Sequence, residues 1–385
     1  MSTTHTEILA GQRPGVLAWI GVAVLFAVTS AITLAAAGRG EPSQRSGPVR
    51  RESPPRRLAD TGLYGDAATR TIASDVLPFT PQYPLWTDGA EKQRWIRLPP
   101  GESIDASNPD VWRFPVGTQL WKEFSFGRRV ESRTMELGAD GRWTYATYAW
   151  TEDGNDAVLA PEGGVRGACS TGRGTRHDIP GVADCRVCHE GGPNAVLGFS
   201  ALQLSADRDP LAPHAERPTA GSVDLDDLVA RGLVRGLPRE LTVHPPRIEA
   251  TSPRERAALG YLHGNCGSCH NAEGPLSTIG LELDYPLVGA ERRAAPAMRT
   301  ALGRESRFQP TGLAGLARIE AGDPDRSTLV ARLSSRSPVA AMPPLGTRAV
   351  DEDAVALVRE WIASDFGVTH PSGAATTRLE IPKKK

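Results

Sequence analysis

The sequence predicts an α+β multidomain protein in which an antiparallel β-rich domain precedes a loop-rich segment and an all-α domain. Apolar and polar side chains alternate between residues 118 and 150, as they do in half-buried strands. Near the C-terminal end, apolar side chains instead recur at helical spacing. At 385 residues, the chain is also too long for one ordinary core, so several smaller cores are expected.

Three strands are predicted in the β-rich region, at residues 118–126, 129–137 and 142–150. Gly127-Arg128 separates the first two strands, and a loop ending in Asp140-Gly141 separates the second from the third. Because both connections are typical of hairpins, we expect an antiparallel meander. Six of the eight Trp residues lie between Trp86 and Trp150, and we expect them to fill a small core rather than to line a binding groove.

Two longer helices are predicted in the last part of the chain. Ser252-Pro253-Arg254-Glu255 forms a capping box with Pro at the first helical position, and the helix runs to about His263. A second helix begins at Asp351, and its apolar face consists of Ala354, Val358, Trp361 and Ile362. A shorter helix is expected near residues 223–231, within the loop-rich segment.

The N-terminal residues have the pattern of an export signal. Residues 16–37 carry no charge and are long enough to cross a bilayer, so they form either a signal peptide or a membrane anchor. Arg13 precedes this segment and six Arg residues follow it, opposite to the positive-inside bias. Residues 38–60 are rich in Pro, Arg, Ser and Gly, which predicts a disordered linker. The net charge is −1 with both signs interspersed, so no nucleic-acid partner is expected.

Two C-x-x-C-H strings contain four of the five cysteines. They are Cys185-Arg-Val-Cys188-His189 and Cys266-Gly-Ser-Cys269-His270. This spacing lets both sulfurs form thioethers with one haem, while the following His reaches the iron. We therefore predict two covalently bound haem c groups, with His189 and His270 as iron ligands. Haem is attached to such motifs outside the bacterial cytoplasmic membrane, and we give this more weight than the charge bias around residues 16–37.

A zinc site and a thiol redox pair are the competing interpretations of these cysteines. Zinc ribbons usually separate their pairs by roughly 15–20 residues, whereas Cys188 and Cys266 are 78 positions apart. A thioredoxin-like pair would require a βαβ setting and would not explain the repeated His. The fifth cysteine, Cys169, has no partner in either string, and we expect a small buried residue there.

Met342 is the predicted sixth ligand of the second iron. Pro343 and Pro344 restrict the loop that follows it, which reduces the entropy lost when the thioether binds. A His/Met pair raises the reduction potential and leaves no open position for a substrate, which favours electron transfer. For the first iron, His177 is the candidate distal ligand nearest in sequence. The alternatives are Met135, His214, His263, Met298 or no protein ligand.

The chain from about residue 63 to 366 resembles a family of bacterial two-haem c-type cytochromes catalogued as conserved hypothetical proteins, with a β-rich N-terminal region and a C-terminal cytochrome c domain. The matching stretches are Pro84 to Lys92, Phe114 to Gly117, Val130 to Arg133, Tyr148 to Trp150, Cys185 to Phe199, Tyr261 to Asn271, Gly322 to Pro324 and Met342 to Gly346. Trp86-Thr87 stands where the family more often has Phe-Ser. The resemblance implies an exported cytochrome, transfers the haem pairs and Met342 as distal ligand, and implies no substrate.

These observations predict the following parts: residues 1–37, signal peptide or anchor; 38–60, linker; 61–160, β-rich domain; 161–250, first haem-binding segment; 251–368, cytochrome c domain with the second haem; and 369–385, flexible tail. We expect a periplasmic protein, soluble or tethered by residues 16–37, that transfers single electrons between a redox donor and acceptor. One alternative is a two-haem peroxidase or oxidase with an open first haem. In another, the β-rich domain binds a dehydrogenase or envelope partner and the haems serve as its electron outlet.

Overall fold

The computed structural model describes residues 53–289, 295–309 and 315–366. The expected signal peptide or anchor at residues 1–37, most of the expected linker and the expected tail at 369–385 lie outside the described residues. Among the helices that the structure describes, none is both long and apolar enough to span a membrane.

Twelve strands are present in the described residues. They are β1 (Tyr64–Asp66), β2 (Thr71–Ile72), β3 (Leu77–Pro78), β4 (Glu91–Arg97), β5 (Ile104–Asp105), β6 (Gln119–Ser125), β7 (Arg129–Leu137), β8 (Trp143–Trp150), β9 (Ala157–Leu159), β10 (Val165–Ser170), β11 (Arg176–Ile179) and β12 (Val234–Arg235). Six of them form one antiparallel sheet in the order β3-β4-β6-β7-β8-β9.

The predicted meander is confirmed as β6, β7 and β8 of this sheet. Gly127 and Gly141 both have positive φ angles, of 70° and 75°, in the two connections. Backbone in this left-handed region favours glycine, which explains why both turns have it. The sequence did not predict the separate β10–β11 hairpin or the parallel pairing of β12 with β5.

The two faces of the large sheet pack against different parts of the chain. One face carries Trp95, Trp121 and Tyr148, which are covered by apolar residues between positions 58 and 76. The opposite face carries Leu120 and Tyr145, which belong to the main core. The prediction that the Trp residues fill the core is confirmed, because five of the six between positions 86 and 150 are at most 8% exposed.

Seven α-helices lie in the described part of the chain. They are α1 (Val182–His189), α2 (Leu225–Ala230), α3 (Arg239–Val243), α4 (Pro253–Asn265), α5 (Pro296–Ala301), α6 (Thr328–Leu333) and α7 (Glu352–Asp365). Short 3-10 helices occur at Leu58–Thr61, Ser277–Ile279 and Pro324–Arg326. The fold thus mixes antiparallel sheets with comparatively few helices, and the predicted α+β class is confirmed at this level.

The two predicted longer helices begin where the sequence indicated. The hydroxyl of Ser252 accepts a hydrogen bond from the Glu255 amide at 3.0 Å, and the Asp351 carboxylate accepts one from the Ala354 amide at 3.2 Å. Each cap satisfies an amide that the first helical turn leaves unpaired. Helices α4 and α7 then pack together, and Arg254 of α4 pairs with Asp365 of α7 at 2.7 Å.

The main hydrophobic core runs through most of the described chain. It joins Phe79 and Tyr145 of the β-rich region to Cys185 and Phe199, and continues to Trp361 in α7. Phe79 and Phe199 are in edge contact with ring centroids 4.7 Å apart. The residues around the two C-x-x-C-H strings are therefore held against the sheet and against the C-terminal helices.

Candidate haem-binding sites

Helix α4 places the second C-x-x-C-H string at its C-terminal end. The Cys266 amide donates to the Leu262 carbonyl at 2.8 Å, and the His270 amide donates to the Cys266 carbonyl at 2.9 Å. The chain therefore makes a further tight turn just beyond the helix. This turn brings Cys266, Cys269 and His270 to the edge of a cavity of about 810 Å³.

The lining of this cavity is mostly apolar. Its apolar side chains include Leu276, Ile279, Leu281, Leu283, Phe308, Leu329, Leu333, Met342, Pro343 and Pro344. Cavities that hold cofactors usually have volumes of roughly 300–1,000 Å³ and apolar walls with a few polar groups. The structure thus brings His270 and Met342, which are separated by some seventy residues in sequence, to the walls of one cavity of suitable size.

The imidazole of His270 is suited to binding a group that enters this cavity. Its Nδ1 atom is buried and has no hydrogen-bond partner in the described structure. Burial, with smaller contributions from Arg332 and Arg318, lowers the pKa of His270. A neutral imidazole is the form that ligates metals, and a buried polar atom without a partner is costly. These features fit the predicted haem.

The first string lies within a helix rather than in a loop, since α1 ends at His189. The Nδ1 atom of His189 donates a hydrogen bond to the Ala195 carbonyl at 2.6 Å. Burial lowers the pKa of His189 to about 4, so the ring is neutral at pH 7 and Nε2 keeps its lone pair. Metal-bound histidines usually donate their second ring nitrogen to a carbonyl in this way. The ring also lies beside Tyr145, with centroids 5.4 Å apart.

The segments that follow the two strings are in direct contact. The side-chain amide of Asn271 donates to the Gly191 carbonyl at 3.2 Å. A Cβ atom on Gly191 would lie 2.7 Å from the Ser268 carbonyl oxygen, so this approach requires glycine. Val187 and Gly191 also border the cavity beside the second string. The two candidate sites are therefore adjacent.

The cysteine thiols do not form a metal site in this structure. Burial raises the pKa of Cys188 to about 11 and that of Cys266 to about 12, with Cys269 adding a smaller repulsion to both. Within the described ranges, the one group of at least three His, Cys, Asp or Glu ligand atoms lying within 4.8 Å of each other is His214, Asp351 and Asp353. Within the described residues, the four motif cysteines do not converge on one tetrahedral site, as a zinc site made from both strings would require. Cys169 is buried and unpaired, as expected.

His177 is not available as the distal ligand of the first iron in this structure. Both ring nitrogens are occupied, because Nδ1 lies 3.0 Å from the Asp88 carboxylate and Nε2 lies 2.9 Å from the Glu131 carboxylate. All three side chains are at most 1% exposed. Burial alone would lower the pKa of His177, but the hydrogen bonds to Asp88 and Glu131 outweigh burial and raise it. Neither ring nitrogen of His177 is therefore free to bind iron.

Two other candidate histidines are also engaged. The Nδ1 atom of His263 accepts a hydrogen bond from the Tyr285 amide at 3.1 Å, and burial lowers the pKa of His263 to about 4. The proton of this neutral ring therefore sits on Nε2, which is then a donor and not a ligand. The Nε2 atom of His214 lies 2.8 Å from the Asp351 carboxylate. Met135, buried in β7, and Met298, half-buried in α5, remain as side-chain candidates.

The sequence analysis missed a row of basic residues near the first string. Arg94, Lys122 and Arg133 lie opposite one another on β4, β6 and β7, and the register continues to Thr147 on β8. Thr147 is hydrogen-bonded to Cys185 of the first string. Side-chain alternation along each strand does indicate which face its basic residue occupies. It does not show that the three residues are neighbours, because this depends on how β4, β6 and β7 pair.

Comparison with family models, curated proteins and solved structures found no match to this chain.

Proposed function

We propose that this chain is an exported two-haem c-type cytochrome that transfers single electrons between redox partners. In this proposal, the four motif cysteines attach two haems, and His189 and His270 bind the irons. Met342 would supply the second protein ligand of the iron at His270. Residues 251–368 then form an all-α cytochrome c-like domain around that haem, and residues 161–250 hold the other haem against the sheet.

One observation carries the proposal. Cys266, Cys269, His270 and Met342 border a single apolar cavity, and the first string lies next to it. A haem supplies reversible one-electron reduction when bound, and apolar surroundings with two protein ligands suit electron transfer rather than substrate binding. The neutral imidazoles of His189 and His270 support the ligand roles, since only the neutral ring offers a lone pair.

The contact between the two segments supports electron exchange between the haems. Asn271 and Gly191 join the residues that follow each string, and Val187 of the first string borders the cavity of the second. Two porphyrins attached there would lie close together. We propose that the first haem acts as the entry point or relay, that the protein is periplasmic and either soluble or tethered through residues 16–37, and that its donor and acceptor are other redox proteins.

A haem count tests the proposal directly. The full chain should be produced in a cell competent for cytochrome maturation and examined by its reduced pyridine haemochrome spectrum and intact mass. Two covalent haems are expected. The double variant Cys266→Ala/Cys269→Ala should retain one, whereas Cys169→Ala, which alters a cysteine outside both strings, should retain two. A colourless protein with the mass of its polypeptide contradicts the proposal.

Redox titration then tests electron transfer. The purified protein should show two reversible haem transitions under anaerobic conditions. Because the His270/Met342 pair closes the coordination of its iron, this haem should bind neither carbon monoxide nor cyanide readily. Fast formation of a ligand complex at both haems would contradict the proposed role of Met342.

A second candidate function follows from the engaged histidines. His177 has both ring nitrogens engaged, His214 uses Nε2, and His263 accepts a hydrogen bond at Nδ1, which leaves the proton on Nε2. If neither Met135 nor Met298 binds the first iron, that iron is open, and a two-haem peroxidase or oxidase becomes the better description. Peroxide consumption together with a high-spin ferric signal would establish this function, and a fully low-spin protein without turnover would refute it.

A further inference from the structure

Three basic side chains lie side by side on adjacent strands, on one face of the large sheet. Arg94 of β4 pairs in register with Lys122 of β6, which pairs with Arg133 of β7. Like charges directly opposite each other on a sheet destabilise it. A fourth cation, Lys92, lies two positions from Arg94 and therefore on the same face. We call these four residues the basic row.

The carboxylates near the basic row neutralise only part of it. Glu216 pairs with Arg94 and lies 3.9 Å from Lys92. Glu131 pairs with Arg133 at 2.6 Å and is shared with His177. Asp351 exerts a weaker attraction on Lys92 and is itself bonded to His214. The four cations of the basic row therefore have only two carboxylates, Glu216 and Glu131, paired directly with them.

Lys122 is the cation that these pairings leave out. In the parts of the chain that the structure describes, no carboxylate lies within ion-pair distance of its ammonium group. Its contact is with the ring of Phe124, 4.9 Å from the ring centroid, and Arg133 lies 4.2 Å from the same ring centroid. Burial, followed by repulsion from Arg94, Lys92 and Arg133, lowers the pKa of Lys122 well below its usual value. Lys122 is half-buried, and an ammonium group that is largely enclosed by protein without an ion-pair partner is costly unless an anion joins it.

The basic row is directed at the first C-x-x-C-H string. The ring of His189 lies beside Tyr145 of β8, with centroids 5.4 Å apart. Tyr145 is two positions from Thr147, which is the register partner of Arg133 and is hydrogen-bonded to Cys185. Lys122, Cys188 and His189 are all half-buried. An anion bound between the sheet and α1 would contact the basic row and the first string together.

We propose that the basic row binds the propionate carboxylates of the haem attached at Cys185 and Cys188, with Lys122 as the residue that supplies the unneutralised charge. This inference rests on the proposed function. The basic row contains four cationic side chains, and Glu131 and Glu216 pair with two of them. The two propionate carboxylates of one haem would balance the other two. Lysine and arginine form charge-assisted hydrogen bonds with carboxylates, and these are strongest when desolvated. Lys122 is a positioning residue for this haem and also raises its reduction potential.

The substitution Lys122→Met tests this inference in the haem-loaded full chain. A charged Lys122 stabilises the reduced iron, so its loss should lower the potential of the first haem. We expect at least a tenfold shift in the one-electron equilibrium, which corresponds to 59 mV. The potential of the haem at His270 should change much less and serves as an internal reference. Lys122→Arg, which keeps the charge, should stay near the wild-type value.

Arg129→Gln is the matched control. Arg129 lies on the same sheet but pairs with Glu123 on the opposite face and is 40% exposed, so this variant should leave both potentials unchanged. If Lys122→Met does not fold, Lys122→Gln keeps a polar head group without the charge. Infrared difference spectra of the wild-type protein with ¹³C-labelled propionates provide a measurement that needs no variant. Ionised, strongly hydrogen-bonded carboxylates are expected, and water-exposed carboxylates would overturn the inference.

A free anion is the other source of the same chemistry. Titration of the wild-type protein with nitrite, formate or sulfate should leave the potential of the first haem unchanged, because the propionates already occupy the row. A saturable, concentration-dependent shift would assign the row to a free anion and overturn the propionate inference. Two covalent haems with unchanged potentials in Lys122→Met would overturn this inference alone. A wild-type chain without haem would overturn the proposed function itself.

Discussion

The side chain of Asn271 donates a hydrogen bond to the backbone carbonyl of Gly191, 80 positions away in the chain. The same amide group also reaches the carbonyls of Gly267 and Ser268, and its oxygen accepts from the Glu273 and Gly274 amides. Asn271 is only 4% exposed. One amide side chain therefore fixes the turn after the second string and joins it to the first.

The substitution Asn271→Ala should destabilise the protein. It leaves several buried backbone groups unsatisfied, at a cost of about 1–3 kcal/mol. Urea unfolding monitored by tryptophan fluorescence measures this change. Asn108→Ala, which removes an exposed turn bond to the Asp110 amide, is the control and should cost less than half as much. Equal effects of the two variants would show that the contact with Gly191 contributes little.

Replacement of Met342 should lower the potential of the haem at His270. In Met342→His the second ligand becomes a nitrogen, and we expect a fall on the order of 100 mV within the range of about 0.8 V that axial ligands span. Potentiometric titration measures it. Val339→Ala is the control, because Val339 is 80% exposed in the same loop and lies outside the lining of the cavity. An unchanged potential in Met342→His would exclude Met342 as the ligand.

Stability should depend on pH through His177. Its pKa is raised in the folded protein, so the stabilisation that this histidine provides is complete below the unfolded pKa of about 6.5. The stabilisation is lost as the pH rises from there through the higher folded pKa. We expect the urea midpoint of the wild-type protein to fall across this range, relative to that of His177→Gln. Parallel pH profiles for the two proteins would contradict the assignment.

Removal of the His177 side chain should also be costly at neutral pH. His177→Ala leaves Asp88 and Glu131 buried without the ring that is hydrogen-bonded to both, and removing one partner of a buried network in this way costs about 3–5 kcal/mol. Chemical unfolding at pH 7 measures the loss. His244→Ala, outside this network, is the control and should have little effect. A small loss in His177→Ala would mean that water replaces the ring.

The substitution Gly260→Ala should destabilise the protein although it lies in a helix. Alanine normally stabilises a helix by about 1 kcal/mol relative to glycine. At Gly260 of α4, however, a Cβ atom would overlap the ring of Tyr83. Overpacking of this kind costs about 1–3 kcal/mol. Gly163→Ala, at a position with open space around it, is the control for thermal unfolding. A stabilised Gly260→Ala variant would show that Tyr83 moves freely.

Much of the local structure followed from the sequence. The caps at Ser252 and Asp351, the turn at Gly127 and the three strands of the meander depend on residues a few positions apart, and the structure has them. The predicted capping box is only half formed, because the Glu255 carboxylate accepts from the Thr251 amide and not from the Ser252 amide. The two C-x-x-C-H strings are equally local, because the predicted chemistry requires only two cysteines and one histidine at fixed positions within five residues. The hairpin of β10 and β11 was missed because residues 165–179 are rich in Gly, Arg and Thr and lack a clear alternation.

Contacts between distant segments could not be predicted in this way. His177 was a reasonable ligand by its distance along the chain, but the fold places it between Asp88 and Glu131. Lys122 could not be recognised as part of a basic row from the sequence, because only the strand register places Arg94 and Arg133 beside it.

The sequence by itself determined where the candidate haem attachment sites are, because a C-x-x-C-H string contains its own geometry within five residues. Only the tertiary structure decided that the two strings touch, that Met342 and His270 border one cavity, and that the basic row lies beside the first string. Side-chain periodicity reports which face of an element is buried but not what that face packs against. That is set by strand register and core packing over the whole chain.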